Sequence, residues 1–303
     1  MTEQTRAELL AGLDEATGTA LMAMDLFTGI LDRFEREIRS FGKFPSYYLG
    51  LANGSGTWEY YDGHLKVIDN SGNVAADGVA ASDYSTIVGE ASNKDSYLKS
   101  PFFKPAVDSD DDIAAGMYRV GPLARLNLAE RMGSEAADAA LETFRDRADG
   151  IADSSFFFHY ARLIEILACA EQMRAFLDDD AVLDTHVRAQ AGVNHRRSVG
   201  VSEVPRGTLF HEYETDANGL LENVNMIIAT GQNNLAMNAT VHEIAKEYID
   251  GPEIPEPILN RIEAGIRAFD PCLSCSTHAI GQMPLVVTLV DASGEKICER
   301  IRG

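Results

Sequence analysis

Between Leu9 and Ile38 the apolar side chains Leu9, Leu10, Leu13, Leu21, Met24, Phe27, Leu31, Phe34 and Ile38 recur mostly every three or four residues. That period belongs to the α-helix, so the spacing predicts one long amphipathic helix ending near Gly42. Such a helix must bury its stripe against another element. A second stripe, Phe156, Tyr160, Leu163, Ile164, Leu167 and Leu177, offers a partner. Asp153 and Ser154 are expected to cap the start of this second helix. The run Asp178-Asp179-Asp180 would sit at its negative end, where carboxylates are unfavourable, so the helix should stop there. Cys169 falls inside the second stripe and reads as a small buried hydrophobe.

The segments between and after these helices carry a different pattern. From Gly50 to about Asp112 the chain is rich in Gly, Asn, Asp and Ser, with short alternating pieces such as Trp58 to Ile68 and a turn at Asn70-Ser71-Gly72. Residues 121–148 return to helical composition. Thr208 to Glu214 and Leu220 to Ile228 read as two strands joined by the hairpin signal Asp216-Ala217-Asn218-Gly219. Helical stretches follow near Ala239 to Tyr248 and Pro257 to Phe269, and the tail from Met283 to Arg302 has strand character about the turn Asp291-Ala292-Ser293-Gly294. The fold class this implies is α+β and mainly α, with long helices and small β-sheets.

Charge narrows the partners. Against 26 Lys and Arg stand 47 Asp and Glu, a net charge of −21 over 303 residues. Such a chain repels phosphate backbones and anionic lipid headgroups, which argues against nucleic acid and membrane surfaces as partners. No apolar run reaches the roughly 18 residues needed to cross a bilayer, and the start lacks the layout of a signal peptide. A cytoplasmic location is therefore expected. There the 4 cysteines would stay reduced, and they are too few for a disulfide framework.

Two of those cysteines form a C-x-x-C, Cys272 and Cys275, within Asp270-Pro271-Cys272-Leu273-Ser274-Cys275-Ser276-Thr277-His278. Thiolates three residues apart can grip one soft ion such as nickel, iron, zinc or copper(I), and His278 adds an imidazole. An isolated C-x-x-C cannot close a four-thiolate site. A redox dithiol is expected at a helix start after a strand, whereas this pair follows a helix. Two further segments carry candidate chemistry. In Glu203-Val204-Pro205-Arg206-Gly207 an arginine between Pro and Gly can aim a permanent charge inward, or simply occupy a surface turn. The uncharged cluster Ala229-Thr230-Gly231-Gln232-Asn233-Asn234 can cap the next helix or bond a buried polar ligand.

In this order and at these separations the three segments resemble the C-terminal portion of the large subunit of nickel-iron hydrogenases. The signature Asp-Pro-Cys-x-x-Cys-x-x-His stands at Asp270 to His278, and the Pro-Arg-Gly element preceded by an acidic residue at Glu203 to Gly207. Arg-Gly-Thr-Leu-Phe-His, Ala-Thr-Gly-Gln-Asn-Asn and Gly-Gln-Met-Pro-Leu resemble the cytoplasmic, NAD-reducing branch. The resemblance implies reversible oxidation of dihydrogen at a Ni-Fe centre whose iron carries cyanide and carbon monoxide. It implies Cys272 as a terminal nickel ligand able to accept a proton, and Cys275 as the thiolate bridging to iron. Arg206 would stand above the metals beside Asp270, with Pro205 and Thr230 facing the diatomic ligands. His278 would bind magnesium, with the Met226 carbonyl as a further donor.

The resemblance also implies partners: an iron-sulfur small subunit, NAD-reducing diaphorase subunits, and a maturation protease that removes the C-terminal extension, residues 279–303. The domain reading is then a mainly helical region over 1–200 with a strand-rich insertion near 50–112, a metal-site region over 201–278, and that extension. The family's N-terminal Arg-x-Cys-Gly-x-Cys element is absent, so the chain reads as part of such a subunit, incomplete alone. Two alternatives remain open. One is a noncatalytic homologue, or an assembly or electron-transfer-complex subunit, that kept the scaffold and lacks half of the metal ligands, and the other is a small zinc site built from Cys272, Cys275 and His278.

Overall fold

The computed structural model describes residues 1–93, 96–109, 112–189, 195–273 and 285–302. The long amphipathic stripe forms helix α1 (Glu3–Ser40), started by Thr2, whose hydroxyl accepts the Thr5 N–H. Its buried face is narrower than the apolar spacing suggests: Leu13, Ala20, Met24, Leu31 and Ile38 are buried, while Leu9, Leu21 and Phe34 are exposed. Beyond the helix run β1 (Tyr47–Ala52), β2 (His64–Ile68), β3 (Val74–Val79), β4 (Val88–Asn93), β5 (Ser96–Phe103) and β6 (Tyr118–Arg119). Four of these make a sheet in the order β3-β2-β1-β6, with β1 antiparallel to β2 and parallel to β6, while β4 and β5 pair as a separate ribbon.

Three helices follow: α2 (Pro122–Leu128), α3 (Glu135–Ala148) and α4 (Phe157–Asp178). Helix α4 packs along α1, and their shared core includes Met24, Leu31, Tyr160, Ile164 and Ala168. As the aspartate run implies, α4 ends at Asp178. Its start differs from expectation. The N-cap position is Phe156 rather than Asp153 or Ser154. The Ser154 hydroxyl accepts the Phe156 N–H at that start and donates to the Ile38 and Phe41 carbonyls at the end of α1, so it ties two helix ends together. Cys169 is exposed, not buried, because it faces outward from α4.

The second half builds a three-stranded antiparallel sheet, β7 (Arg197–Val204), β8 (Gly207–Thr215) and β9 (Leu221–Ile227), then α5 (Ala229–Gln232), α6 (Asn234–Tyr248) and α7 (Glu256–Ala268). Strands β8 and β9 are the hairpin read from Asp216 to Gly219; β7 is an additional strand on its other side. Phe210 and Ile227 of this sheet share a core with Leu49, Leu65, Val67 and Tyr118 of the first, which fixes the β7–β8 turn against the α2 region. The hairpin β10 (Leu285–Val290) and β11 (Lys296–Arg302) rests its Leu285, Val287, Leu289 and Cys298 against the apolar cluster of α6 and α7. The result is an α+β fold, mainly helical, with small sheets.

Candidate metal centre

The β7–β8 turn is a two-residue hairpin, Pro205-Arg206, closed by the pairing of Val204 with Gly207. Glycine is required after the arginine. Gly207 has φ +141, and a Cβ there would lie 2.3 Å from Val120 Cγ2. Opposite it, a Cβ on Gly121, at φ +94, would lie 2.7 Å from the Arg206 carbonyl oxygen. The tip of the hairpin thus sits directly on the backbone entering α2.

From this tip Arg206 reaches the segment after α7. Its Nε donates to the Asp270 carbonyl at 2.5 Å, and its guanidinium faces the Asp270 carboxylate, with Nε to Oδ2 at 3.4 Å. Asp270 has φ +51, a left-handed conformation that aspartate tolerates better than most residues, and it lies two positions before Cys272. Thr230, buried in the short α5, accepts the Cys272 N–H on its hydroxyl at 3.2 Å. Arg206, Asp270, Thr230 and Cys272, separated by up to 66 positions in sequence, are therefore brought to one place. The rest of the Ala229–Asn234 cluster serves the fold: Gln232 accepts from Tyr118 and donates to the Thr208 carbonyl, and Asn233 exchanges bonds with the Val120 backbone.

Cys275 and His278 lie outside the described residues. Among the described residues no group of three or more His, Cys, Asp or Glu stands together as a metal cluster. Pro205 lines a cavity of about 590 Å³ beside the site, and Met226 is an exposed residue of β9. The donor set that is described fits a thiolate-bound ion. It offers one half-buried sulfur whose backbone is pinned by Thr230, with a guanidinium and a carboxylate alongside.

The sequence reading missed the ionic assembly beneath the hairpin. Arg125 of α2 is buried and bonds the Glu165 carboxylate of α4 through Nε and Nη2, each at 2.6 Å, and Glu203 of β7 through Nη1 at 2.7 Å. Trp58 donates to Glu165, while Thr208 and the Leu51 N–H donate to Glu203, so both carboxylates are well satisfied. Arg125 also donates to the Val204 carbonyl and more weakly to that of Pro205, which anchors the strand end that carries Arg206. The signal was present: Arg125 is the one charge in the apolar run Pro122–Leu128, and a lone charge in such a run is kept by a buried partner.

One residue of α4 makes the stability of the fold depend on pH. His159 packs edge-on against the Phe27 and Phe156 rings, which stack on each other. Burial, reinforced by the Arg162 charge, pushes its imidazole from 6.5 down to about 4, with Asp270 pulling weakly the other way. The unfolded chain takes up the proton first, so this contribution is complete above about pH 6.5 and is lost as pH falls towards 4. Urea unfolding at a series of pH values should show a decline of the order of 2–3 kcal/mol across that window, flattened in His159→Phe. An unchanged pH profile in the variant would assign the decline to other groups.

Comparison with known proteins decides the family. The family model described as nickel-dependent hydrogenase matches residues 56–278, most of the chain. The chain belongs to the nickel-dependent hydrogenase family. Within it, the chain is 37% identical over 303 residues to the NAD-reducing hydrogenase HoxS subunit beta of Cupriavidus necator, covering 97% of this chain and 60% of that protein. To one subunit of the F420-non-reducing hydrogenase vhc of Methanococcus voltae it is 36% identical over 305 residues, covering 99% of this chain and 63% of the relative. The chain thus spans somewhat under two thirds of the length of these hydrogenase subunits.

Among solved hydrogenases, the crystal structure of an NAD+-reducing [NiFe]-hydrogenase in the H2-reduced state superposes with a TM-score of 0.85 at 36% identity, covering 92% of this chain and 60% of that one. The Ni-Fe-Se hydrogenase of D. vulgaris Hildenborough shares the fold at 18% identity with a TM-score of 0.67, covering 92% of this chain and 62% of that one.

Proposed function

We propose that the chain forms part of the large subunit of a nickel-iron hydrogenase and carries one side of its metal site. The observation that carries this reading is the joint hold on the segment before the motif: Arg206 bonds Asp270 while Thr230 bonds the Cys272 N–H. In this reading Cys272 and Cys275 hold the nickel-iron centre, with cyanide and carbon monoxide on iron, and His278 holds magnesium. The group, when bound, supplies the reversible heterolytic splitting of dihydrogen.

The chain's own residues then do three things. Arg206 directs a fixed positive charge towards the sulfur-bearing turn, and a charge placed in advance costs no reorganisation during reaction. Thr230 accepts the Cys272 N–H at its oxygen and keeps its own proton free to donate to a polar ligand. The Cys272 sulfur, as thiolate, is the atom that can take up a proton. Electrons would leave through an iron-sulfur partner protein and, in a larger complex, NAD-reducing subunits. A maturation protease would act on residues 279–303.

The test is coproduction of this chain with the portion of the family's large subunit that it does not span, an iron-sulfur partner and the maturation machinery. Dihydrogen-dependent reduction of a viologen dye, with nickel in the purified complex, is the expected result. A complex that assembles with no nickel and no such reduction would favour a noncatalytic member of the family.

A further inference from the structure

Arg206 is one of two guanidinium groups that close on the end of α7. The other is Arg162, on α4, whose Nη2 donates to the Ala268 carbonyl at 3.1 Å. Ala268 is the last residue of α7, so this carbonyl has no partner within the helix, and the helix dipole concentrates negative charge there. Arg206 takes the Asp270 carbonyl two residues later. One helical turn before Arg162, the Phe158 ring packs on Phe269 with centroids 4.6 Å apart. Residues 268, 269, 270 and 272 are therefore held in turn by Arg162, Phe158, Arg206 and Thr230, from α4, the β7–β8 hairpin and α5.

Arg162 also completes a balance of charge. Its neighbours in the electrostatic field are Asp270, Glu165, Arg125 and Arg206. Together with Glu203, which pairs with Arg125, these make three carboxylates and three guanidinium groups running from the buried base of the hairpin to the Cys272 turn. The Arg125, Glu165 and Glu203 group alone carries one excess negative charge; Arg162 stands between that group and Asp270. Among the described residues its buried Nε has no hydrogen-bond partner, and the guanidinium is held there by its field and by the bond to Ala268.

We propose that Arg162 is a positioning residue: by clamping the end of α7 it fixes the left-handed Asp270 and the direction in which Cys272 presents its sulfur. This rests on the reading of Cys272 as a metal ligand only for its consequence, not for the clamp itself. Hydrogen–deuterium exchange of the full chain tests it. The Phe269, Asp270 and Cys272 amides are each bonded, to Ile266, Arg267 and Thr230. In Arg162→Met, which keeps an apolar stem, these amides should exchange at least about tenfold faster, while those of β8 keep their rates. Arg162→Lys retains a cation and a donor and should stay within about threefold of the parent.

Unchanged exchange at residues 269–272 in Arg162→Met would overturn the proposal. So would acceleration spread evenly over the chain in both variants, since that marks a general contribution to stability. Nickel content of the coproduced complex separates the two readings. A parent complex without nickel, showing the local exchange pattern, removes the proposed function and leaves the clamp standing. A nickel-loaded parent whose Arg162→Met variant keeps parental exchange removes the clamp and leaves the function.

Discussion

Arg125→Met is expected to lower the unfolding free energy of the chain by about 3–5 kcal/mol, the cost of breaking a buried ion pair by removing one partner. The side chains of Arg125, Glu165 and Glu203 are exposed by only 3%, 9% and 0%, so the two carboxylates left behind could not recover their hydration. Methionine fills much of the arginine stem's volume, which confines the effect to the charge and its hydrogen bonds. Chemical denaturation followed by far-UV circular dichroism measures it. Adding Glu165→Gln and Glu203→Gln to the variant should return part of the loss, because amides tolerate burial without a cation. A loss below about 1 kcal/mol would mean that the assembly is hydrated in solution and does not anchor the hairpin.

The second large effect concerns activity rather than stability. On the proposed function, Arg206→Lys in the coproduced complex should reduce dihydrogen-dependent dye reduction by roughly 10²–10³-fold, the range found when one electrostatic donor is removed from a reaction site. Lysine keeps the charge but cannot place one nitrogen on the Asp270 carbonyl and another on its carboxylate, as Arg206 does. The Arg206 side chain is 39% exposed, so the fold should be insensitive, with stability changed by about 0.5 kcal/mol or less. Equal loss of stability and activity would reduce Arg206 to a hairpin strut.

What the sequence disclosed depended on whether a residue's role was local. Helix α1 and the β8–β9 hairpin follow from spacing and from Asp216 to Gly219, signals carried within a few neighbouring positions. Only the family resemblance groups Arg206, Asp270, Thr230 and Cys272 together. The structure brings these four together, which the residue spacing alone could not do, since the contacts span 64 and 42 positions. Strand β7 carries a weaker signal: Val199 and Val201 alternate, but only Glu203 of the strand is buried, so no apolar face marks it.

Cys169 misled for the opposite reason. It sits in an apolar run, yet α4 is apolar on more than one face: Ile166, Met173 and Phe176 are exposed with it. Periodicity therefore could not say which side of α4 meets α1. Ser154 does bond the entry to α4, through the Phe156 N–H, but the same hydroxyl also serves the end of α1, a contact more than a hundred positions away that no local signal carries. Arg125, Arg162 and Glu165 were legible only as isolated charges in apolar helices, a pattern that announces burial without naming the partner.

On the proposed function, the Cys272 sulfur is a nickel ligand held in place by Arg206 and Thr230. X-ray absorption at the nickel K-edge of the coproduced complex tests it most directly. Nickel with a sulfur shell is predicted in the parent, and in Cys272→Ser either one sulfur fewer or loss of the metal. Nickel that keeps an identical sulfur shell in Cys272→Ser would contradict the account.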